Sequence, residues 1–256
     1  MTTPPPYPAG HDLLAGKTVI VTAAAGTGIG FATAKRCAEE GAIVAISDRH
    51  ERRLAESAEQ LALITGRQPV AVPCDVTSED DVQRMFDTVG AFDVLINNAG
   101  LGGTAELVDM TDEQWMRVVD VTLTGTMRCT REALRRLRSA GRGGAIVNNA
   151  SVIGWRAQAG QAHYAAAKAG VMALTRTAAV EGASFGARVN AVAPSLAMHE
   201  NLAKVTTDEL LAELTAREAF GRAAEPWEVA NVIVFLASDY ASYLTGEVLS
   251  VSSQHP

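Results

Sequence analysis

The 256-residue sequence is short of several things, and each shortage narrows what the chain can be. No run of eighteen apolar residues occurs, so no segment reads as a membrane-spanning helix. Cysteine is scarce: Cys37, Cys74 and Cys129 are far apart, odd in number and free of any CxxC pair. That argues against a disulfide framework and fits reduced thiols in a core. Basic charge is in deficit, 22 Lys and Arg against 29 Asp and Glu, and a net charge of −7 argues against nucleic acid or an anionic membrane as the partner. The N-terminus lacks the basic-then-apolar pattern of a secretory signal, so a cytoplasmic location is expected. With 48% hydrophobic and 20% charged residues the composition excludes disorder as the main state.

What is present has two rhythms. Residues 1–13 are proline-rich and aperiodic, and read as a flexible tail. From Leu14 onward, short runs rich in Val and Ile read as strands: Thr18–Val21, Ile43–Ser47, Val70–Val72, Val94–Ile96, Ala145–Val147, Val189–Val192 and Val248–Val251. Between them helical spacing covers Gly28–Glu40, Glu51–Ile64, Ser78–Val89, Asp112–Arg138, Gln161–Glu181, Thr207–Leu214 and Pro226–Ala237. Apolar strands alternating with helices predict an α/β fold, one doubly wound Rossmann-like domain over residues 14–256 with a seven-stranded parallel sheet covered by helices on both faces. Five arginines between Arg131 and Arg142 read first as a solvated helix end and second as a site for an acidic ligand.

The first strand runs into Thr22-Ala23-Ala24-Ala25-Gly26-Thr27-Gly28-Ile29-Gly30 and then a helix. A glycine-rich turn at a helix N-terminus offers free backbone N–H groups, the positive end of the helix dipole and no side chains in the way, which suits a phosphate. Asp48 closes the second strand, eighteen residues past Gly30. A carboxylate there accepts hydrogen bonds from both ribose hydroxyls of an adenosine and repels a 2′-phosphate. NAD(H) is therefore favoured, while the adjacent Arg49 leaves NADP(H) open. Capping of the following helix is the plainer role for Asp48.

Further elements stand in a telling order: Asp75-Val76 after the third strand, Asn97-Asn98-Ala99-Gly100 after the fourth, Ser151 thirteen residues before Tyr164, Tyr164-Ala-Ala-Ala-Lys168 on a predicted helix, and Gly246 in Leu-Thr-Gly. Over Leu14–Val251 the chain resembles the short-chain dehydrogenase/reductase superfamily in its single-domain form. The resemblance implies a nicotinamide cofactor and hydride transfer between an alcohol and a ketone. It also implies that Asp75 and Val76 touch adenine and that Asn98, Ala99 and Gly100 line the ribose side, with Thr22, Ala24, Gly26, Gly28, Ile29, Gly30, Pro194, Leu196 and Ala197 completing the cofactor cleft. No metal is expected. Tyr164 and Lys168 are four apart and share a helix face. An ammonium beside a phenol favours the phenolate, bringing a group that normally titrates near pH 10 towards the working range. Tyr164 is thus expected as acid and base, Lys168 as its partner and a holder of the cofactor ribose, and Ser151 as the donor that orients the substrate oxygen.

The sequence departs from the family's pattern in four places. Ala23 stands where a Gly is usual and the turn is one residue longer, so Gly26 is expected to make the tight turn. Thr122, in Asp120-Val121-Thr122-Leu123, replaces the family's catalytic Asn and is carried over only as a weak candidate for the water-holding role. Pro194-Ser195-Leu196-Ala197-Met198-His199 replaces Pro-Gly-x-Ile-x-Thr. The tail ends Ser252-Ser253-Gln254-His255-Pro256 rather than in Asp-Gly-Gly. These stretches, with Ser151–Gln158 and the run from Gly221 to Trp227, resemble an actinobacterial branch of the family. That branch acts late in the breakdown of cholesterol and related steroids, on a ring hydroxyl of a bicyclic hydroxyindane carboxylic acid carried as its coenzyme A thioester. Such a substrate is physically compatible with an apolar wall of Trp155, Leu196 and Met198, core packing being the plainer role for Trp155, and with Arg156 or the Arg131–Arg142 group meeting the phosphates, a solvated surface charge being the plainer role for Arg156. His199, at the place of the family's Thr, is expected either to touch cofactor or substrate or to be a loop residue without a role, and residues 195–222 are expected to form the substrate loop. The alternatives are a ketoreductase similar to 3-oxoacyl carrier-protein reductases and, more remotely, a dinucleotide-binding sensor without catalysis. The family commonly forms dimers or tetramers through the helices that correspond to Asp112–Arg138 and Gln161–Glu181, so self-association is expected.

Overall fold

The structure, a computed structural model, describes residues 2–198 and 208–254. Seven parallel strands form one sheet: β1 (Thr18–Thr22), β2 (Ile43–Asp48), β3 (Val70–Pro73), β4 (Val94–Asn97), β5 (Gly144–Asn149), β6 (Ala187–Pro194) and β7 (Val248–Val251). Their order is β3-β2-β1-β4-β5-β6-β7. The chain winds outwards from β1 to β3, crosses back to lay β4 beside β1, and winds outwards again. The direction reverses between β1 and β4, and the crevice beyond their C-terminal ends is where such sheets bind ligands.

Alternation along each strand assigns the two faces. Val19 and Val21 join Phe31, Leu54, Val229, Ile233 and Leu236, the apolar stripes of α1 (Ile29–Glu39), α2 (Glu51–Thr65) and α8 (Pro226–Ala237). Ile20 between them points the other way, to Val82, Phe86, Leu95, Leu137 and Ile146, under α3 (Glu79–Val89), α5 (Gly125–Ser139) and α6 (Ala162–Gly182). Strand interiors buried on both faces explain why these segments read as unbroken apolar runs. No helix among the described residues is long and apolar enough to cross a membrane.

Two expectations need correcting. The helix predicted over Asp112–Arg138 is α4 (Asp112–Val119), a π-helical turn (Asp120–Thr124) and α5. The second is the N-terminal segment, which lies along α1 and α8 rather than standing free. The buried Arg36 guanidinium donates to the Pro8 carbonyl at 2.6 Å and the Ala9 carbonyl at 2.9 Å. The buried Glu40 carboxylate accepts from the N–H groups of His11 at 2.8 Å and Leu13 at 3.0 Å, and Tyr7 packs edge-on against Trp227 at 5.4 Å. Four prolines among ten residues keep the segment extended, and the Arg36–Glu40 pair supplies backbone partners that periodicity cannot reveal.

Candidate active site

The β1–α1 turn is held from three sides by groups other than its glycines. Ala24 N–H donates to the Ser47 carbonyl at 3.0 Å, and Gly26 N–H to Ser57 Oγ of α2 at 3.0 Å. Thr22 Oγ1 accepts from the N–H groups of Asn98 at 3.0 Å and Ala99 at 3.2 Å, and the Asn98 amide donates to the Ala23 carbonyl at 2.9 Å. Thr22 and Asn98, expected to line the cofactor, thus spend these groups fastening the turn to β4. Ala23 itself takes left-handed backbone (φ 50°), as does Gly26 (φ 100°), so the turn uses a positive φ both at the position where the family has Gly and at Gly26. A Cβ on Gly30 would lie 2.4 Å from both the Ala23 carbonyl oxygen and the Asn98 amide nitrogen, so only glycine allows this closure. Gly28 caps α1 with no side-chain hydrogen bond and no acid in the first turn. The helix's first N–H groups are left for an external anion.

Along the rim, Asp48 is buried, and its Oδ1 accepts from His50 N–H at 2.9 Å, shaping the entry to α2. Arg49 is exposed and turned to the His50 ring. Asp75 Oδ1 is engaged by Thr77, at 2.9 Å to its N–H and 2.7 Å to its hydroxyl, while Val76 packs under α5. The Asn149 amide donates to Asn98 Oδ1 at 3.0 Å, and Asn149 Oδ1 is buried with no partner among the described residues. A bare glycine cradle at a helix N-terminus, an acid at the end of β2 and an unsatisfied carbonyl between β4 and β5 fit an adenine–nicotinamide dinucleotide.

The reacting side is built on α6. Ser151 follows β5, is 8% exposed, and its Oγ accepts from Ile153 N–H at 3.3 Å, starting the short turn Val152–Gly154. Gly154 seats that turn on α6: a Cβ there would meet Met172 Cε at 2.7 Å and the Ala169 nitrogen at 3.0 Å. Tyr164 and Lys168 project from the same helix face, with Lys168 Nζ 5.6 Å from the Tyr164 ring centre and donating to the Asn149 carbonyl at 2.5 Å. Burial holds the Tyr164 phenol above its ordinary value, with the Ser151 hydroxyl pulling the other way. Burial pushes the Lys168 ammonium down from 10.5 to about 8. Burial, which penalises the charged form of each group, therefore outweighs the lowering that was expected from the ammonium.

Thr122 is buried in the π-helical turn. Its Oγ1 accepts from Leu101 N–H at 3.0 Å and donates to the Leu101 carbonyl at 3.2 Å, and its own carbonyl accepts from Thr126 Oγ1 at 2.8 Å. It ties down the loop after β4, so a water-holding role finds its hydroxyl proton already committed. Beyond β6, residues 196–198 run beside Ala224, with Met198 N–H on its carbonyl at 3.0 Å and Leu196 accepting from its N–H at 2.8 Å. His199 lies outside the described residues. Trp155 is half exposed, and Arg156 donates to the Gln254 side chain. Arg131, Arg135, Arg136 and Arg142 are engaged by Glu79, Glu132, Asp87 and Asp93, leaving these four poorly placed for an acidic ligand.

Sequence reasoning passed over a polar stitch directly under the site. Asn97 Nδ2 donates to Thr130 Oγ1 at 3.0 Å and Asn148 Oδ1 at 2.9 Å, and Asn148 Nδ2 to Thr175 Oγ1 at 2.9 Å, joining β4, β5, α5 and α6. Its signal was asparagine inside strands, where the residue is disfavoured without a partner.

A family model described as "Enoyl-(Acyl carrier protein) reductase" matches residues 23–253. A Mycobacterium tuberculosis protein named (5R,7aS)-5-hydroxy-7a-methyl-1-oxo-2,3,5,6,7,7a-hexahydro-1H-indene-carboxyl-CoA reductase is 62% identical over 97% of this chain and 96% of its own. The chain is a short-chain dehydrogenase/reductase. It is an oxidoreductase of a family that uses a nicotinamide dinucleotide. A cis-4-hydroxycyclohexanecarboxylate dehydrogenase of Sinomonas cyclohexanicum is 43% identical over 94% of this chain and 96% of that one. A crystal structure of a Mycobacterium smegmatis short chain dehydrogenase superposes with a TM-score of 0.86 at 58% identity, covering 98% of both chains.

Proposed function

We propose that the chain interconverts a secondary alcohol and a ketone on an alicyclic ring whose carboxyl group is carried as a coenzyme A thioester. The observation that carries this reading is the meeting of Ser151, Tyr164 and Lys168 beside an anion-ready glycine turn, in a chain so like an indane-carboxyl-CoA reductase. A carrier-protein ketoreductase is the poorer match, since relatives so named are more distant.

The dinucleotide, when bound at the β1–α1 turn, supplies or accepts the hydride. The chain's own residues handle the proton. Ser151 Oγ donates to the substrate oxygen and orients it. Because burial keeps the proton on Tyr164 in the resting site, the phenol is poised as a general acid that protonates the oxygen as the ketone is reduced. Oxidation runs the same transfer backwards and needs the phenolate, so its rate rises with pH. Lys168 holds a positive charge one turn from the phenol and is charged below its value of about 8. The buried carboxylate of Asp48 disfavours a 2′-phosphate, while Arg49 faces solvent and His50, so NAD(H) is the preferred form.

The test is turnover of the purified protein with NADH and NADPH against cyclic ketones, offered as free acids and as coenzyme A thioesters, and against straight-chain 3-oxoacyl thioesters. Faster reduction of the ring thioester with NADH is expected. Reaction confined to straight-chain substrates overturns the reading.

A further inference from the structure

Two charged residues beyond the ends of β5 and β6 are out of balance. Glu218, at the end of the turn after α7 (Asp208–Ala216), is 4% exposed. Its carboxylate meets only neutral donors among the described residues: Ser253 Oγ at 2.8 Å, Gln254 Nε2 at 2.9 Å and Leu196 N–H at 3.4 Å. Arg156 is one turn beyond Ser151, its N–H on the Val152 carbonyl at 3.0 Å. Among the described residues no carboxylate lies within ion-pair distance of it, and its Nη1 donates to Gln254 Oε1. A single amide therefore separates a buried anion from a cation that electrostatics would otherwise draw onto it. Gln254 is itself held in place: its N–H donates to Ser252 Oγ at 3.0 Å, and Ala219 N–H donates to the Ser253 carbonyl at 2.9 Å.

We infer that Gln254 is a positioning residue that keeps Arg156 from collapsing onto Glu218 and so presents the guanidinium, beside Trp155, to an anionic group of the substrate remote from the reacting carbon. A guanidinium already paired with a carboxylate is largely neutralised and has lost its two-pronged donor face, whereas one resting on an amide carbonyl keeps both charge and donors. The chemistry recognised is a phosphate or carboxylate. The inference rests on the proposed ring-thioester reading only for where that anion comes from.

Binding can be read without turnover, which separates the two ideas. Calorimetry of free coenzyme A, and separately of cyclohexanecarboxylate, is carried out on the enzyme saturated with NAD⁺. Gln254→Ala and Arg156→Ala are each expected to raise the anion's Kd about five- to tenfold, the double variant no more than either alone. Adding Glu218→Gln to Gln254→Ala removes the competing charge and should restore affinity to within about twofold, a rescue that a merely structural role would not produce. An effect on coenzyme A alone assigns the site to its phosphates, and an effect on the acid assigns it to the ring carboxylate. Wild-type enzyme that binds neither probe, an unchanged Kd in Gln254→Ala, or failure of the rescue overturns the inference. Loss of ring-thioester turnover with the Kd pattern intact would count against the proposed substrate instead.

Discussion

The two sides of the crevice are built on opposite principles. On the β1–β2 side the work falls to backbone and to missing side chains: Gly28 and Gly30 bare the end of α1, and Thr22, Asn98 and Ser57 are consumed in holding the turn. On the β5–α6 side it falls to three particular side chains in a buried pocket, whose burial works against the charged forms of two of them, Tyr164 and Lys168. One side tolerates an inserted residue because shape is what it must supply. The other tolerates little because it must supply pKa values.

Three experiments sharpen that contrast. The largest effect is expected from Tyr164→Phe, which keeps the ring and removes the transferable proton. Turnover should fall roughly a hundred- to ten-thousand-fold while dinucleotide affinity, measured by fluorescence titration, stays within about twofold. Retained turnover would show that the proton travels elsewhere.

Lys168→Met divides activity from stability. Lys168 is 3% exposed and its value falls from 10.5 unfolded to about 8 folded, so at pH 7 the folded state carries a desolvation cost on the order of 3 kcal/mol. The variant should lose activity. It should also be more stable than the parent at pH 7 by about 1–3 kcal/mol in denaturant titrations, after the lost bond to the Asn149 carbonyl is discounted. The unfolded chain binds more protons than the folded one between about 8 and 10.5, so the parent gains stability across that window and the difference closes. A difference independent of pH would mean the ammonium is well solvated.

The smallest effects come from the turn, as a pair. Gly30→Ala forces a methyl into the Ala23 carbonyl and should weaken dinucleotide binding about tenfold or more, read as Kd. Ala23→Gly relieves a left-handed alanine at φ 50° and should change stability by no more than about 1 kcal/mol, since the gain is offset by the freer unfolded chain. Equal losses of dinucleotide affinity from both changes would contradict a turn governed by shape.

The strand and helix pattern was legible to within a residue or two at most ends, because parallel strands buried on both faces must be apolar and the covering helices must carry stripes. The pairing of Tyr164 with Lys168 was legible from their four-residue spacing, and Ser151 from the family resemblance. The docked N-terminal segment was not, since its partners, Arg36 and Glu40, look like ordinary helix charges until both prove buried. Nor was Thr122, which marks a departure from the family in sequence but proves in space to be a tie to Leu101.

Composition and order were enough to settle a doubly wound sheet, a glycine turn meeting a helix, and a tyrosine–lysine pair on one helix face, because period, turn chemistry and four-residue spacing are local properties. Which way the pocket biases that pair, which asparagines hold the sheet together beneath it, and that Gln254 stands between Glu218 and Arg156 came only with folding. Burial and contact between residues 36 to 98 positions apart are properties of no local stretch of chain.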